Sequence, residues 1–410
     1  MAYASSQPPP EGYTPYAPTP QYGNGLLGQL DPSLRASPII CTQPEPWELV
    51  KAHFPADALV LIVTDIHHTA TAERCAAWKS RAETSAVFGI GGGMALDHAK
   101  FAAHTLSAPL VLCPSILSVD AGYTVAAGVR ETRTADDSKL SVVYVGDSRP
   151  TALLVDFALL QSAPKILNQS GLGDLLSCAT ALWDWTAARD QIGERYDEGI
   201  AARTRVLLER LLAPTAATAL RDVSEDGLRL LSELYVEEVT LCEVWGNSRC
   251  EEGSEHYVAY ALEALTGKHY LHGQLIALCV VLVGAYQGQD VIPWIEFVKS
   301  VGLDCSLAAV GTSRDELFGV LTTMGDFVAS EPQLLPGVFH FKGNVPASEA
   351  NTLLDMVEAA FAPSSTEVVC QACEPEPCDD QGWAFCFRCQ ARRARMRKPP
   401  GITFGTSGGA

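Results

Sequence analysis

From residue 58 onward the chain alternates short apolar runs with longer stretches whose apolar positions recur every three to four residues. The runs at 58–63, 86–90 and 110–113 read as strands, and the stretches at 70–81 and 94–105 read as the helices between them. That order predicts a parallel sheet with helices on its faces, and such folds bind ligands at the C-terminal ends of strands. Residues 128–156 then become β-rich. The runs 140–145 and 152–155 are separated by turn residues including Gly146, Asp147 and Pro150, which predicts a hairpin insertion or the last strands of this domain. Past Ala163-Pro164 the period is helical to about residue 362, with amphipathic stretches at 175–189, 199–212, 225–241, 255–265 and 274–286. No fixed-period repeat is visible, which excludes solenoids and propellers.

Residues 1–37 are rich in Pro, Tyr, Ser, Gly and Gln and lack aliphatic periodicity, so they are expected to be a disordered extension. The predicted organisation is this extension, an α/β domain over 38–162, a mainly α-helical domain over 163–362, and a Cys-rich then basic tail over 363–410. A chain of 410 residues exceeds what one hydrophobic core usually organises, which agrees with two domains.

Composition narrows the function classes. Hydrophobic residues make up 47% and charged residues 19%, and the longest apolar run, 275–286, is too short to span a bilayer. A formal net charge of -19 repels phosphate backbones and anionic lipid, so neither nucleic acid nor a membrane surface is the expected partner of the core. The N-terminus lacks the basic, apolar, small-residue order of a secretory signal, and a cytoplasmic location is the expectation. Eight of the 13 cysteines, from Cys41 to Cys305, are scattered and read as small buried hydrophobes. The other five lie in the tail, where Cys370-x2-Cys373 and Cys386-x2-Cys389 have the spacing of a small zinc site. Free thiols in a disordered tail fit equally. A basic run, Arg392 to Lys398, follows and reads as a solvated end.

Four segments carry chemistry. Val87 to Gly93 ends an apolar strand in Gly91, Gly92 and Gly93 and opens a helix bearing Asp97 and Lys100. Glycines let a diphosphate approach backbone N–H groups while the helix N-terminus attracts its charge, although a strand-to-helix turn can need glycine for geometry alone. Asp65 closes the preceding strand, where a carboxylate could take a ribose hydroxyl or could simply turn the chain. The loop 114–124 places Ser115, Ser118, Asp120 and Thr124 after a strand, as a cofactor or substrate wall or as an ordinary turn. Finally, Asp174, His256 and His272 each stand near a predicted helix start; these are zinc-ligand types, and three protein ligands leave coordination open for a substrate oxygen.

Taken in order, GIGGGMALDHAK, CPSILSVDAGYT, SGLGDLLSCATALWDW, SRCEEGSEHYVAYALE and HGQLIALCVVLVGAY resemble the successive signatures of glycerol-1-phosphate dehydrogenases and glycerol dehydrogenases. These belong to the dehydroquinate synthase-like superfamily, which also holds the iron-containing alcohol dehydrogenases. The resemblance covers roughly residues 40–362. It implies an α/β N-terminal nucleotide-binding domain with a parallel sheet, then a mainly α-helical metal-binding domain, with catalysis between them.

By the same resemblance Gly91, Gly92, Gly93 and Asp97 hold the cofactor diphosphate of NAD or NADP. Ser115, Ser118 and Thr124 contact the cofactor, Asp120 binds substrate, and Asp174, His256 and His272 bind Zn2+, with Fe2+ or Ni2+ as alternatives. It also implies a homo-oligomer. Related cyclases carry Glu at the place of Asp174, so the Asp favours redox chemistry. Iron-type relatives add a histidine four residues on; here Cys178 stands there, as a soft fourth ligand or a buried apolar residue. Tyr260 replaces a histidine that lines the substrate site of the phosphate enzymes.

The function expected from this is an NAD(P)- and metal-dependent oxidoreductase acting on a small polyol or polyol phosphate, with Arg249 or a nearby lysine taking the phosphate. A cyclase of the dehydroquinate synthase type and a non-catalytic scaffold derived from a dehydrogenase are the alternatives.

Overall fold

The computed structural model of the chain describes residues 12–79, 83–132 and 140–362. The tail cysteines and the basic run fall outside the described residues. Among the described residues there are eight strands: β1 (Pro20–Gly23), β2 (Ile39–Thr42), β3 (Leu59–Ile62), β4 (Val87–Gly91), β5 (Leu110–Pro114), β6 (Ala127–Thr132), β7 (Leu140–Val145) and β8 (Ala152–Asp156). Six of them form one sheet in the order β1-β8-β5-β4-β2-β3, and every pairing in it is parallel. All five residues of each of β4, β5 and β8 are buried, as strands covered on both faces require. β6 and β7 pair antiparallel as a separate hairpin, with Gly128 opposite Tyr144 and Arg130 opposite Val142.

After β8 the chain is helical to its last described residues. Seven helices matter below: α1 (His68–Trp78), α2 (Gly93–Leu106), α3 (Gly171–Leu176), α4 (Cys178–Ile192), α5 (Glu225–Trp245), α6 (Ser254–Thr266) and α7 (His272–Gln287). The α/β order and the helical second half follow the sequence pattern. Helix α7, the long apolar run, is buried without a break from Gly273 to Gly284, as a helix apolar all round sits in a protein core.

Two parts of the chain differ from the pattern-based reading. The segment expected to be disordered is structured from Gly12 onward: β1 adds to the β8 edge of the sheet, Leu26 and Leu27 are buried, and Tyr22 stacks on Phe157 at 6.2 Å. Its aliphatic residues are too few to show a period, but they are placed where a sheet edge and an open core face need covering. Secondly, β2 lies between β3 and β4, so the alternation starts at residue 39 and not at 58. Its four buried residues form too short a run to stand out from the Pro-rich sequence around it. The scattered cysteines are free and buried, from Cys41 to Cys305. Among the described residues no helix is long and apolar enough to cross a membrane.

Helices α3 and α7 cross with their backbones in contact. A Cβ on Gly173 would lie 1.8 Å from the carbonyl oxygen of Gly273, and one on Gly273 would lie 2.1 Å from that of Ser170. Backbone atoms cannot turn aside as a side chain can, so glycine is obligatory at both positions. Gly173→Ala is expected to lower unfolding free energy by about 3 kcal/mol, the upper range for overpacking a core, in urea or thermal denaturation. Wild-type stability in that variant would mean that the helices can separate freely.

Candidate metal centre and nucleotide cleft

The α3–α7 crossing brings three ligand-type side chains together. Asp174, in the last turn of α3, is 1% exposed and His256, in the first turn of α6, is 3% exposed. His272 opens α7. Asp174 Oδ1 lies 3.2 Å from His272 Nε2 and 3.7 Å from His256 Nε2, and one ligand atom from each residue lies within 4.8 Å of the other two. The other oxygen of Asp174 accepts from the Asp120 backbone N–H at 3.1 Å, which fixes the plane of the carboxylate.

A second carboxylate orients His256. Glu255, fully buried, faces His256 Nδ1 at 2.8 Å and also accepts from the Gly253 N–H at 2.7 Å and the Thr180 hydroxyl at 2.7 Å. With Nδ1 donating to Glu255, Nε2 is left pointing at Asp174. Two acceptors then face each other across 3.7 Å, an arrangement that needs a proton or a cation between them. Titration reflects this: burial pushes His256 down, but the hydrogen bonds of Asp174 and Glu255 raise it well above the ordinary histidine range. Asp174 is pushed up by burial yet held below the ordinary carboxylate range by the two histidines. The donor set and its orienting carboxylate fit a divalent cation bound through histidine Nε2.

The three residues line a cavity of about 1200 Å³. Gly92, Gly93, Asp97, Ser115, Ser118, Asp120 and Thr124 line the same cavity. Gly93 is the first residue of α2, so free N–H groups at the start of a helix face the cleft. Asp97 pairs with the buried Lys100 ammonium at 2.7 Å, and Lys100 in turn donates to the Thr124 hydroxyl at 2.9 Å and to the Ala126 carbonyl at 2.5 Å. Asp120 is raised to about 8 by burial and by the neighbouring Asp174 charge.

Some expectations are not met. Asp65 is exposed and is absent from the lining; the cleft reaches Val63 and Thr64 at that strand end, and Gln43 at the end of β2. One further residue of chain turns Asp65 outward. Gly91 does not line the cavity either: a Cβ there would lie 1.9 Å from Gln43 Oε1, so its glycine serves the contact between β4 and the end of β2. Gln43 Oε1 also accepts the Gly92 N–H at 3.1 Å. Arg249 is fully buried, paired with Glu194 at 2.9 Å and donating to the Pro336 carbonyl at 2.6 Å. It supports the helical core and cannot receive a phosphate in the cleft. Cys178 is buried with its thiol toward Glu238 at 3.8 Å, and the ligand cluster found among the described residues comprises Asp174, His256 and His272 without it.

The strand-end glycines and the ligand cluster can be set beside known proteins. The family model of the iron-containing alcohol dehydrogenases matches residues 49–164. The glycerol-1-phosphate dehydrogenase [NAD(P)+] of Pyrobaculum arsenaticum is 30% identical over 242 residues, 58% of this chain and 68% of that protein. This chain belongs to the glycerol-1-phosphate dehydrogenase family. Its relative of the same name in Cenarchaeum symbiosum is 29% identical over 241 residues, 59% of this chain and 65% of that one. The chain thus spans about two thirds of the length of the relatives it matches. Among solved structures, a probable glycerol dehydrogenase from Sinorhizobium meliloti 1021 superposes with a TM-score of 0.60 at 20% identity, covering 82% of this chain and 95% of that one, which establishes the shared fold.

Glu255 and Gln43 escaped the sequence reading. Residues adjacent on a helix do not normally face each other, so nothing in Glu255-His256 signals that the first orients the second. Glu255→Gln is expected to weaken zinc retention about 10- to 100-fold, the usual effect of removing such a partner, in a competition titration against a chelator. Unaltered zinc affinity would show that the Glu255 carboxylate does not set the histidine.

Proposed function

We propose that this member of the glycerol-1-phosphate dehydrogenase family is an NAD(P)- and metal-dependent oxidoreductase that moves hydride between nicotinamide and a small polyol or polyol phosphate. The observation that carries the reading is the sharing of one cavity: Gly92 and Gly93 at the start of α2 and the Asp174, His256 and His272 cluster line the same cleft. The relatives' names give NAD(P)+ as their cofactor and glycerol 1-phosphate as their substrate, which supports the assignment.

In this reading Asp174, His256 and His272 hold the ion, with zinc as the assigned metal. Gly92, Gly93 and Asp97 face the cofactor diphosphate, and Ser115, Ser118 and Thr124 line its path. The bound ion supplies Lewis-acid charge beside the substrate oxygens and the nicotinamide supplies the hydride site. The protein does the positioning. Asp120, on the loop beside Asp174, orients the polyol hydroxyls by hydrogen bonding. Glu255 keeps His256 Nδ1 protonated and its ring fixed. The Lys100 ammonium ties Thr124 to Asp97, so the cofactor wall and the first turns of α2 move as one piece. The division into a nucleotide-binding part over 38–162 and a metal-binding part over 163–362, action in the cytosol, and assembly as a homo-oligomer complete the proposal.

The experiment is metal analysis of the purified protein together with NADH and NADPH oxidation on dihydroxyacetone phosphate and dihydroxyacetone. Metal-dependent oxidation of either cofactor is expected. His256→Ala should lose bound metal and turnover together while keeping its helical circular dichroism; a folded His256→Ala protein with normal turnover would refute the ligand role.

A further inference from the structure

We infer that Arg130, on the β6 strand of the hairpin, is the residue that receives the phosphoryl group of a substrate in the cleft. The inference rests on the dehydrogenase reading above and adds to it the residue that distinguishes a phosphorylated substrate from an unphosphorylated one.

With Arg249 buried in its own ion pair, the phosphate must find another cation. Among the described residues, the arginine and lysine side chains that line the cavity are Arg130 and Lys165, with Lys100 behind its wall. Lys100 is 1% exposed and already engaged by Asp97, Thr124 and the Ala126 carbonyl. Lys165 opens the short helix Lys165–Gln169 on the segment leaving β8. Arg130 is placed differently. It stands on β6, and Gly128, Arg130 and, across the hairpin, Tyr144 present one face to the cleft, as alternate strand positions must.

The immediate surroundings of Arg130 tie it to the ligand cluster. Its guanidinium touches the His269 ring, three residues before the ligand His272, and lies 3.8 Å from Glu263, which lines the same cavity as His272. The compensation there is thin: one carboxylate at the edge of ion-pair range and an imidazole. Burial and then the Arg130 charge hold His269 down at about 4, so it brings no second positive charge. Burial likewise lowers Arg130 itself, with Glu263 opposing the shift, as for a cation partly removed from solvent. A dianionic phosphoryl group would supply the missing charge through the planar N–H fork suited to it. The fork is carried by a strand of the hairpin and lines the same cavity as the ligand cluster.

The test compares wild type, Arg130→Met and Arg130→Lys on dihydroxyacetone phosphate and on dihydroxyacetone, with NADH and NADPH affinity measured by fluorescence. The expected result is a rise of about 10- to 100-fold in KM for the phosphate substrate in Arg130→Met. Arg130→Lys should fall between, keeping the charge but losing the fork. KM for dihydroxyacetone and both cofactor Kd values should stay unchanged, which also shows that the variants fold. An unchanged KM for dihydroxyacetone phosphate would overturn the inference. So would a loss confined to cofactor affinity, since that would place the cofactor's own phosphates at Arg130. Should wild type oxidise no cofactor with either ketone, the dehydrogenase reading fails by itself. Calorimetry with inorganic phosphate then decides the subsite: binding lost in Arg130→Met supports it, and binding that is absent in wild type or unaltered in the variant overturns it.

Discussion

The contact of α3 with α7 through Gly173 and Gly273 is the constraint around which the candidate site is built. Two helices normally keep 8–10 Å between their axes because side chains intervene. Here nothing intervenes, and a Cβ at Gly173 would enter the Gly273 carbonyl. The result is that Asp174, one residue on from the contact, meets the histidine that opens α7 at 3.2 Å. The cost of moving either helix is high because α7 is enclosed from Gly273 to Gly284. A ligand pair mounted in this way is held by the core itself, and loop conformation has little influence on it.

Around that fixed pair the remaining groups are oriented by hydrogen bonds to carboxylates. Asp120 offers its backbone N–H to Asp174, and Glu255 takes the His256 ring. Each interaction removes one rotational freedom from a ligand, which is the usual means of preparing a site for a cation. The acidic excess has an electrostatic consequence. Burial and neighbouring charge raise Asp120, Glu238 and Glu251 together, so the surroundings of the ligand cluster favour anything that brings positive charge. It also explains why an arginine on the facing hairpin has a role: without it, a phosphorylated ligand would meet mainly carboxylates.

The strand and helix order was legible from periodicity because long amphipathic and apolar runs leave little choice of partner. The three ligand positions were legible as residue types beside glycine, but their convergence depends on a helix crossing that no local spacing encodes. Asp65 shows the limit on the strand side. A carboxylate at a strand end looks the same whether it faces a cleft or solvent, and one step past Thr64 it faces solvent. Arg249 shows the limit in the core, since its partner Glu194 lies 55 positions away. Strands β1 and β2 escaped for a simpler reason: each has four residues set in Pro-rich sequence, without the longer apolar run that made the equally short β3 visible.

The pairing of β1 with β8 has a consequence for how the chain is assembled. Pro20 lies beside Leu153 in the finished sheet, so β1, made before the other strands of this sheet, has no partner until more than 130 residues have followed it. Every other neighbouring pair in the sheet closes over a shorter loop. Joining distant segments is slow because chain entropy must be lost before contacts reward it. The remaining five strands can therefore form a sheet whose β8 edge stays open, against which the segment carrying β1 docks last. Folding of this sheet would end with the strand that comes earliest in its sequence order.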